Sequence, residues 1–266
     1  MRNREFENHY EKIWGKRWPA LRESLMNPMK SIPYEKNLKK PYMMDHASVI
    51  AASRLKLPDE GIILDACAAP GGKSLVLASN MGVNTELLSN ELSSERRRRL
   101  VNVLNEHLFE EQRKRVRVSG FDTGRAGGRK SEHERFNAIL LDVPCSSERH
   151  VIQSQKALDE WSPRRPQFLA NRQWSLLSAA FLLLKPGGNL VYATCAINPL
   201  ENDAPVKKLL AKYKDQAKII RNSPDDGKNS SIGEETEFGR IILPDISDGM
   251  GPMYFSLILK FPYKDQ

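Results

Sequence analysis

The chain reads as α/β, a mostly parallel sheet with helices on both faces, and three observations predict it. Short apolar runs alternate with helical patterns from residue 61 to residue 213, the signature of βαβ units. One of those runs, GIILD, passes into small residues and a glycine turn, DACAAPGGKS at 65–74, as a strand does when it hands over to a helix beside a ligand. The length of 266 residues with 40% hydrophobic content suits a single continuous core and requires no second domain.

Residues 1–42 are an N-terminal helical extension and loop, and 43–266 the main domain. In the extension, Phe6, Tyr10, Ile13, Trp14, Trp18, Leu21 and Leu25 recur at helical spacing around Pro19, which predicts helix over 1–26 packed on the domain. Residues 27–42, rich in Pro, Lys and Asn, read as a connecting loop, and 45–57 as a helix capped by Asp45. Strand and helix patterns then follow in GIILDACAAPGGKSLVLAS, TELLSNELSSERRRRLVNVLNEHL, RVRVSGFD, FNAILLDVPC, PQFLANRQWSLLSAAFLLLKPGGNLVYATC and NPLENDAPVKKLLAKY. Residues 222–239 are polar and Gly/Ser-rich, a loop. IILPDI and PMYFSLILKF read as two closing strands.

A net charge of +8 and a pI near 9.3 favour a polyanionic partner. Three cysteines without metal-type spacing argue against a disulfide scaffold and a zinc site, so no metal is expected. No stretch reads as a signal peptide or a membrane span, and the acids Glu5, Glu7 and Glu11 are unlike a transit peptide.

In the glycine turn, small side chains at 68–72 let a ligand approach the backbone, and the N–H groups at the following helix start can receive a carboxylate or a phosphate. Later apolar runs also end at acids: Glu91, Asp122 and Asp142. In a doubly wound sheet these ends line one crevice. An acid after the second strand suits ribose hydroxyls and one after the third an adenine amino group. Neither GxxxxGK[ST] nor GxGxxG is present, so S-adenosylmethionine fits better than a nucleotide.

Cys145 and Cys195 follow two further runs, LLDVPCSS and LVYATCAIN. Strands side by side lie about 4.8 Å apart, so thiols just past their ends would face a common pocket. A single free cysteine usually just packs; two in such contexts point to chemistry. Cytosine carbon 5 is a poor nucleophile until a thiolate adds to carbon 6, which splits one hard step into easier ones. Asp142 is placed to hydrogen-bond the N3 and N4 edge of the base where charge develops, and Pro144 stiffens the loop that presents Cys145.

These residues resemble the NSUN (Sun-domain) family of RNA 5-methylcytosine methyltransferases. DACAAPGGK, the acid in NEL, the FD aspartate, LDVPCS and YATCAINPLEN match its motifs in order, MDHAS at 44–48 matches its lead-in helix, and the match spans most of 41–260. GPMYF, the ERH after PCSS and the preface FENHYEKIWGKRWPALRESL are most similar to the two mitochondrial branches, which methylate a ribosomal RNA and a transfer RNA. The resemblance implies a Rossmann-like class I S-adenosylmethionine-dependent methyltransferase with a mostly parallel seven-stranded sheet. It implies Cys195 as nucleophile, Cys145 in product release, and a cofactor site of Cys67, Ala68, Ala69, Pro70, Gly71, Gly72, Lys73, Glu91, Asp122 and Asp142. It also implies RNA as partner, rRNA ahead of tRNA, and a mitochondrial setting, with cytoplasm or nucleus as the alternative. The chain departs from the pattern at Ala196, where the family has a serine, and no appended RNA-binding module is expected. Recognition would then fall to the basic surface or to a protein partner; a monomer with no membrane association is expected.

Lys39, Lys40, Arg149, His150, Arg164 and Arg165 flank the expected active mouth and are the RNA-binding candidates. The run at 96–99 reads as a solvated helix face. Trp161 either stacks on a base or packs in the core. Two other readings remain: DNA cytosine methylation, with Cys145 as nucleophile, and a non-catalytic assembly factor holding rRNA.

Overall fold

The computed structural model describes residues 2–221 and 232–262. The chain opens with α1 (Arg2–Trp14), a 3-10 turn and α2 (Trp18–Met26). The apolar stripe read from the sequence is the reason they dock: Phe6, Tyr10, Leu21 and Leu25 are fully buried in the main core. Tyr10 stacks on Trp18 with ring centroids 5.3 Å apart. Residues 27–42 are not simply a connecting loop. β1 (Ser31–Tyr34) pairs antiparallel with β2 (Tyr42–Asp45), Ser31 opposite Asp45 and Tyr34 opposite Tyr42. Pro33 is tolerated because this ribbon is two-stranded and each strand has a free edge. α3 (His46–Ser53) begins as expected, the Asp45 side chain accepting from the Ala47 N–H.

The sheet's parallel spine comprises β3 (Glu60–Asp65), β4 (Asn84–Asn90), β5 (Val116–Ser119), β6 (Phe136–Asp142) and β7 (Leu184–Thr194). β8 (Ala217–Ile219), β9 (Glu234–Glu235), β10 (Arg240–Ile242) and β11 (Met253–Lys260) complete it. The order is β5-β4-β3-β6-β7-β11-β10-β9, with β8 also paired to β11. The seven expected strands are therefore present, β11 running antiparallel to β7, and the short β9 and β10 extend the edge. Of the two predicted closing strands, IILPDI is strand only through Ile242, because Pro244 has no N–H to continue a ladder. Of the predicted loop 222–239, residues 222–231 lie outside the described residues; β9 and the turn to β10 occupy the rest.

Period-two alternation divides the strand side chains between two cores. Leu64, Ile139, Leu141, Leu190 and Tyr192 face one side, where α1, α2, α7 (Thr123–Gly127), α10 (Arg165–Leu183) and α11 (Asp203–Tyr213) pack. Ile63, Ala138, Leu140, Val191 and Ala193 face the other, under α3, α4 (Gly72–Asn80) and α5 (Ser94–His107). Burial on both faces is why these strands read as nearly unbroken apolar runs. The chain order reverses between β3 and β6, so the C-terminal ends of those strands open onto a switch-point crevice.

Candidate active site

The crevice is a cavity of about 620 Å³ above the ends of β3, β6 and β7. Its floor on one side is the glycine turn. The turn is pinned between neighbouring strands: the Ala66 N–H donates to Leu140 O and the Ala68 N–H to Asn90 O, each at 2.9 Å. Gly71 holds φ +124°, and a Cβ there would stand 3.0 Å from Val103 Cγ1. A Cβ on Gly72 would stand 2.9 Å from the Tyr42 ring. The turn can therefore be neither rebuilt with side chains nor moved away from the cavity. Beneath it, Asp65 is fully buried; Ser74 donates to its Oδ2 at 2.6 Å, while Oδ1 has no partner among the described residues. Burial pushes the Asp65 carboxyl up to about 7.

The two cysteines meet on the opposite side. β6 and β7 are adjacent and parallel, Asp142 registered with Ala193, so Cys145 and Cys195 lie three and two residues beyond one level of the sheet. Their Sγ atoms stand 2.8 Å apart, and both line the cavity. The Ser147 hydroxyl lies 3.2 Å from the Cys195 sulfur and 3.5 Å from that of Cys145. Lys73 donates to Asp142 Oδ2 at 2.7 Å and to Ser48 Oγ at 3.2 Å. Burial works against the Lys73 charge, but the adjoining Asp142 carboxylate, with a smaller pull from Cys195, holds its pKa above the ordinary lysine value. The Cys145 thiol is pushed well up, first by its hydrogen bond to Cys195 and then by burial, so Cys145 holds its proton. Cys67, also in the lining, is pushed up by burial and by the Asp65 charge, and behaves as a packing thiol.

Of the residues expected to hold a cofactor, Cys67, Ala68, Ala69, Pro70, Gly72, Lys73 and Asp142 line the cavity. Gly71 shapes it from behind. Glu91 does not reach it: its carboxylate accepts from the Ser93 N–H and pairs with Arg96 at 3.2 Å. Asp122 caps α7 and lines a separate hollow of about 390 Å³ with Leu92 and Phe121. Arg96 stays on the exposed face of α5 as expected, yet its guanidinium donates to Ala69 O at 2.8 Å and lines the cavity rim. Ser147, which the sequence reading passed over, supplies a hydroxyl beside the thiols; Ala196 is fully buried, its turn held by Thr194 and Asn202.

Among the basic candidates, only Arg149 and His150 line the cavity. Arg149 is a strut, donating to Asn27 O and Gly249 O, and burial lowers its pKa; His150 is exposed at the mouth. Lys39 is exposed, and Lys40 pairs with Glu106 at the end of α5. Arg164 and Arg165 are exposed at the start of α10, outside the cavity lining. Trp161 does not stack on a base: it is fully buried, its ring 5.1 Å from that of Phe6. Among the described residues no helix is long and apolar enough to cross a membrane, and no metal-holding group of His, Cys, Asp and Glu is found.

Comparison with known proteins places these features in a lineage. A family model described as 16S rRNA methyltransferase RsmB/F matches residues 52–259. The mouse 5-cytosine rRNA methyltransferase NSUN4 is 32% identical over 232 residues, covering 83% of this chain and 60% of the mouse protein. Ribosomal RNA small subunit methyltransferase F of Klebsiella pneumoniae is 36% identical over 181 residues, 67% of this chain and 37% of that protein. The chain thus spans about 60% or less of the length of these relatives. Two solved structures from Pyrococcus horikoshii share the fold. A methyltransferase homologue superposes with a TM-score of 0.73 at 19% identity, covering 96% of this chain and 94% of that one. NSun6 with SFG superposes with a TM-score of 0.65 at 22% identity, covering 86% and 55%.

Proposed function

Because the chain belongs to the RsmB/F family of 16S rRNA methyltransferases, we propose that it transfers a methyl group from S-adenosylmethionine to carbon 5 of a cytosine in ribosomal RNA. The observation that carries this reading is the 2.8 Å approach of two sulfurs inside the cavity that the glycine turn floors. Transfer RNA is the second substrate class.

The cavity's residues fit the cofactor. Gly71 and Gly72 leave backbone where a Cβ would intrude, and the unpartnered Asp65 Oδ1 is a buried acceptor suited to an ammonium donor. Cys67–Lys73 and Asp142 would hold S-adenosylmethionine, with Arg96 and Glu91 bracing the turn and Asp122 at the far side. The bound sulfonium supplies an electrophilic methyl group. Cys195 adds as thiolate to carbon 6, forming an S–C6 bond and moving the C5=C6 electron pair onto carbon 5, which becomes the nucleophile. Lys73 is the cation in electrostatic contact with that sulfur, and Asp142, anchored through Oδ2, keeps Oδ1 to accept from the base edge. After methylation the carbon 5 proton passes to water, its electron pair re-forms the C5=C6 bond, the S–C6 bond breaks and Cys195 leaves as thiolate. Cys145, protonated and in contact with the same sulfur, serves product release. Its raised pKa favours attack by Cys195 over the reversed assignment of DNA cytosine methyltransferases.

The target base must leave its stack to enter, which single-stranded loops permit at low cost. His150 is best placed to meet RNA at the mouth; Lys39, Lys40, Arg164 and Arg165 would contact phosphates farther out, and Arg149 contributes by holding the rim. In the decisive experiment, rRNA is incubated with S-adenosylmethionine and resolved under denaturing conditions. Cys195→Ala is expected to lose both methylation and protein–RNA adduct, and Cys145→Ala to accumulate adduct. Normal turnover by Cys195→Ala would end the covalent reading.

A further inference from the structure

Two buried carboxylates behind the thiols take no part in the chemistry above. Glu148, the first residue of α8 (Glu148–Gln153), is fully buried, and three donors from three regions of the chain converge on it. The Tyr10 hydroxyl, from α1, and the Ser146 hydroxyl both donate to Oε1, and the Ile197 N–H donates to Oε2 at 3.1 Å. Ser146 adjoins Cys145, and Ile197 lies two residues after Cys195. One side chain thus grips both cysteine loops and ties them to a helix more than 130 residues away in sequence. Glu201 supports the same point from the other side, its Oε2 accepting from the Ser146 N–H at 2.9 Å and from Gln173 Nε2 at 2.8 Å.

Removing a carboxylate from water costs several kcal/mol, and an amide or an apolar side chain would fill this space at less cost. A carboxylate differs from those alternatives in offering acceptors alone, and all its partners here are donors. The Ile197 N–H cannot reverse its role, whereas the hydroxyls of Tyr10 and Ser146 can rotate. An amide at 148 that keeps its oxygen on the Ile197 N–H turns its NH2 toward the two hydroxyls, whose own protons then lose their buried acceptor, so the Cys145 loop and the N-terminal helix are the side disturbed.

We propose that Glu148 is a positioning residue that clamps the Cys145 loop to the Cys195 loop and both to the N-terminal helix, setting the sulfur–sulfur separation on which adduct formation depends. Its consequence for turnover rests on the covalent reading; its consequence for the thiols does not. Tyr10 is the clamp's outer member, so the N-terminal helices belong to the catalytic apparatus without touching substrate.

The test uses the full chain with Glu148→Gln and Tyr10→Phe, the second removing one hydroxyl and no packing. Each cysteine is alkylated with iodoacetamide across pH 6 to 10 and followed by mass spectrometry, with no RNA or cofactor present. In the parent chain the Cys145 thiol, hydrogen-bonded to Cys195 at 2.8 Å, is held well above its ordinary pKa. In the variants the Cys145 profile is expected to move toward lower pH as the sulfurs separate. Adduct formation with 5-fluorocytosine-containing RNA is expected to slow on the order of 10- to 100-fold in Glu148→Gln and less in Tyr10→Phe, with KM for RNA unchanged. Parent-like alkylation profiles in both variants overturn the clamp, as does a loss that appears only as a raised KM. If Glu148→Gln fails to fold, Tyr10→Phe alone decides. A parent chain that forms no adduct would defeat the covalent reading, and the alkylation profiles would still judge the clamp.

Discussion

Lys73 holds the charge balance of the pocket, since its ammonium joins Ser48, Asp142 and, electrostatically, Cys195. Lys73→Met leaves the Asp142 carboxylate without its cation in a partly enclosed site. Adduct formation is expected to fall on the order of 100-fold, as when one preorganised charge stabiliser is lost. Stability is expected to fall by about 1–3 kcal/mol, read as a lower urea midpoint. A variant with both quantities unchanged would remove Lys73 from the mechanism. The cysteines were legible in the sequence because each follows an apolar run whose register fixes where its end lies. Arg96 was not legible. All four consecutive arginines stay at least partly exposed, and which of them reaches the glycine turn depends on how α5 is rotated against it, a tertiary fact. Tyr10 and Glu148 were hidden for the same reason: nothing local links a tyrosine in the first helix to an acid beside Cys145.

Among the elements, the turn between β3 and α4 has the least freedom. Gly71→Ala places a side chain at φ +124° and a methyl 3.0 Å from Val103, so the turn must shift toward the cavity or α5 must yield. The expected cost is about 1–3 kcal/mol of backbone strain, with S-adenosylmethionine affinity falling on the order of tenfold or more by calorimetry. Unaltered affinity would mean that the turn does not shape the cofactor site. This element was readable because the turn follows a buried strand and later apolar runs end at Glu91, Asp122 and Asp142, a combination a merely structural turn does not need. The ribbon of β1 and β2 was not, since the Pro, Lys and Asn of 27–42 outweighed the alternation of Ile32 and Tyr34. A two-stranded ribbon tolerates a proline that a central strand would reject.

For the molecule as a whole, buried acids set the pH response. Asp65 and Glu201 are each pushed up to about 7, in both cases chiefly by burial. The folded chain therefore binds protons that the unfolded chain has released. This stability is complete below the ordinary carboxyl range, is lost as pH rises from about 4 to about 7, and is flat above. His9, whose pKa burial lowers, opposes the trend below the ordinary histidine value. Between pH 6 and pH 8 the chain is expected to lose on the order of 2 kcal/mol, a melting temperature lower by about 5 °C at pH 8. Glu201→Gln should flatten the slope by about half; an unchanged slope would show that these acids do not govern it. The doubly wound sheet was evident from its alternating pattern, whereas this pH response was not, because it arises from burial that only the assembled fold creates. The proximity of the two sulfurs carries a further liability. Diamide, by removing two electrons and two protons, would join Cys145 to Cys195 across 50 positions of chain, adding about 4 kcal/mol of stability while consuming the attacking group. Such a sample would melt higher, retain one titratable thiol of its three and methylate nothing until dithiothreitol restored it, so protein handled without reductant would look soundest when it was inert.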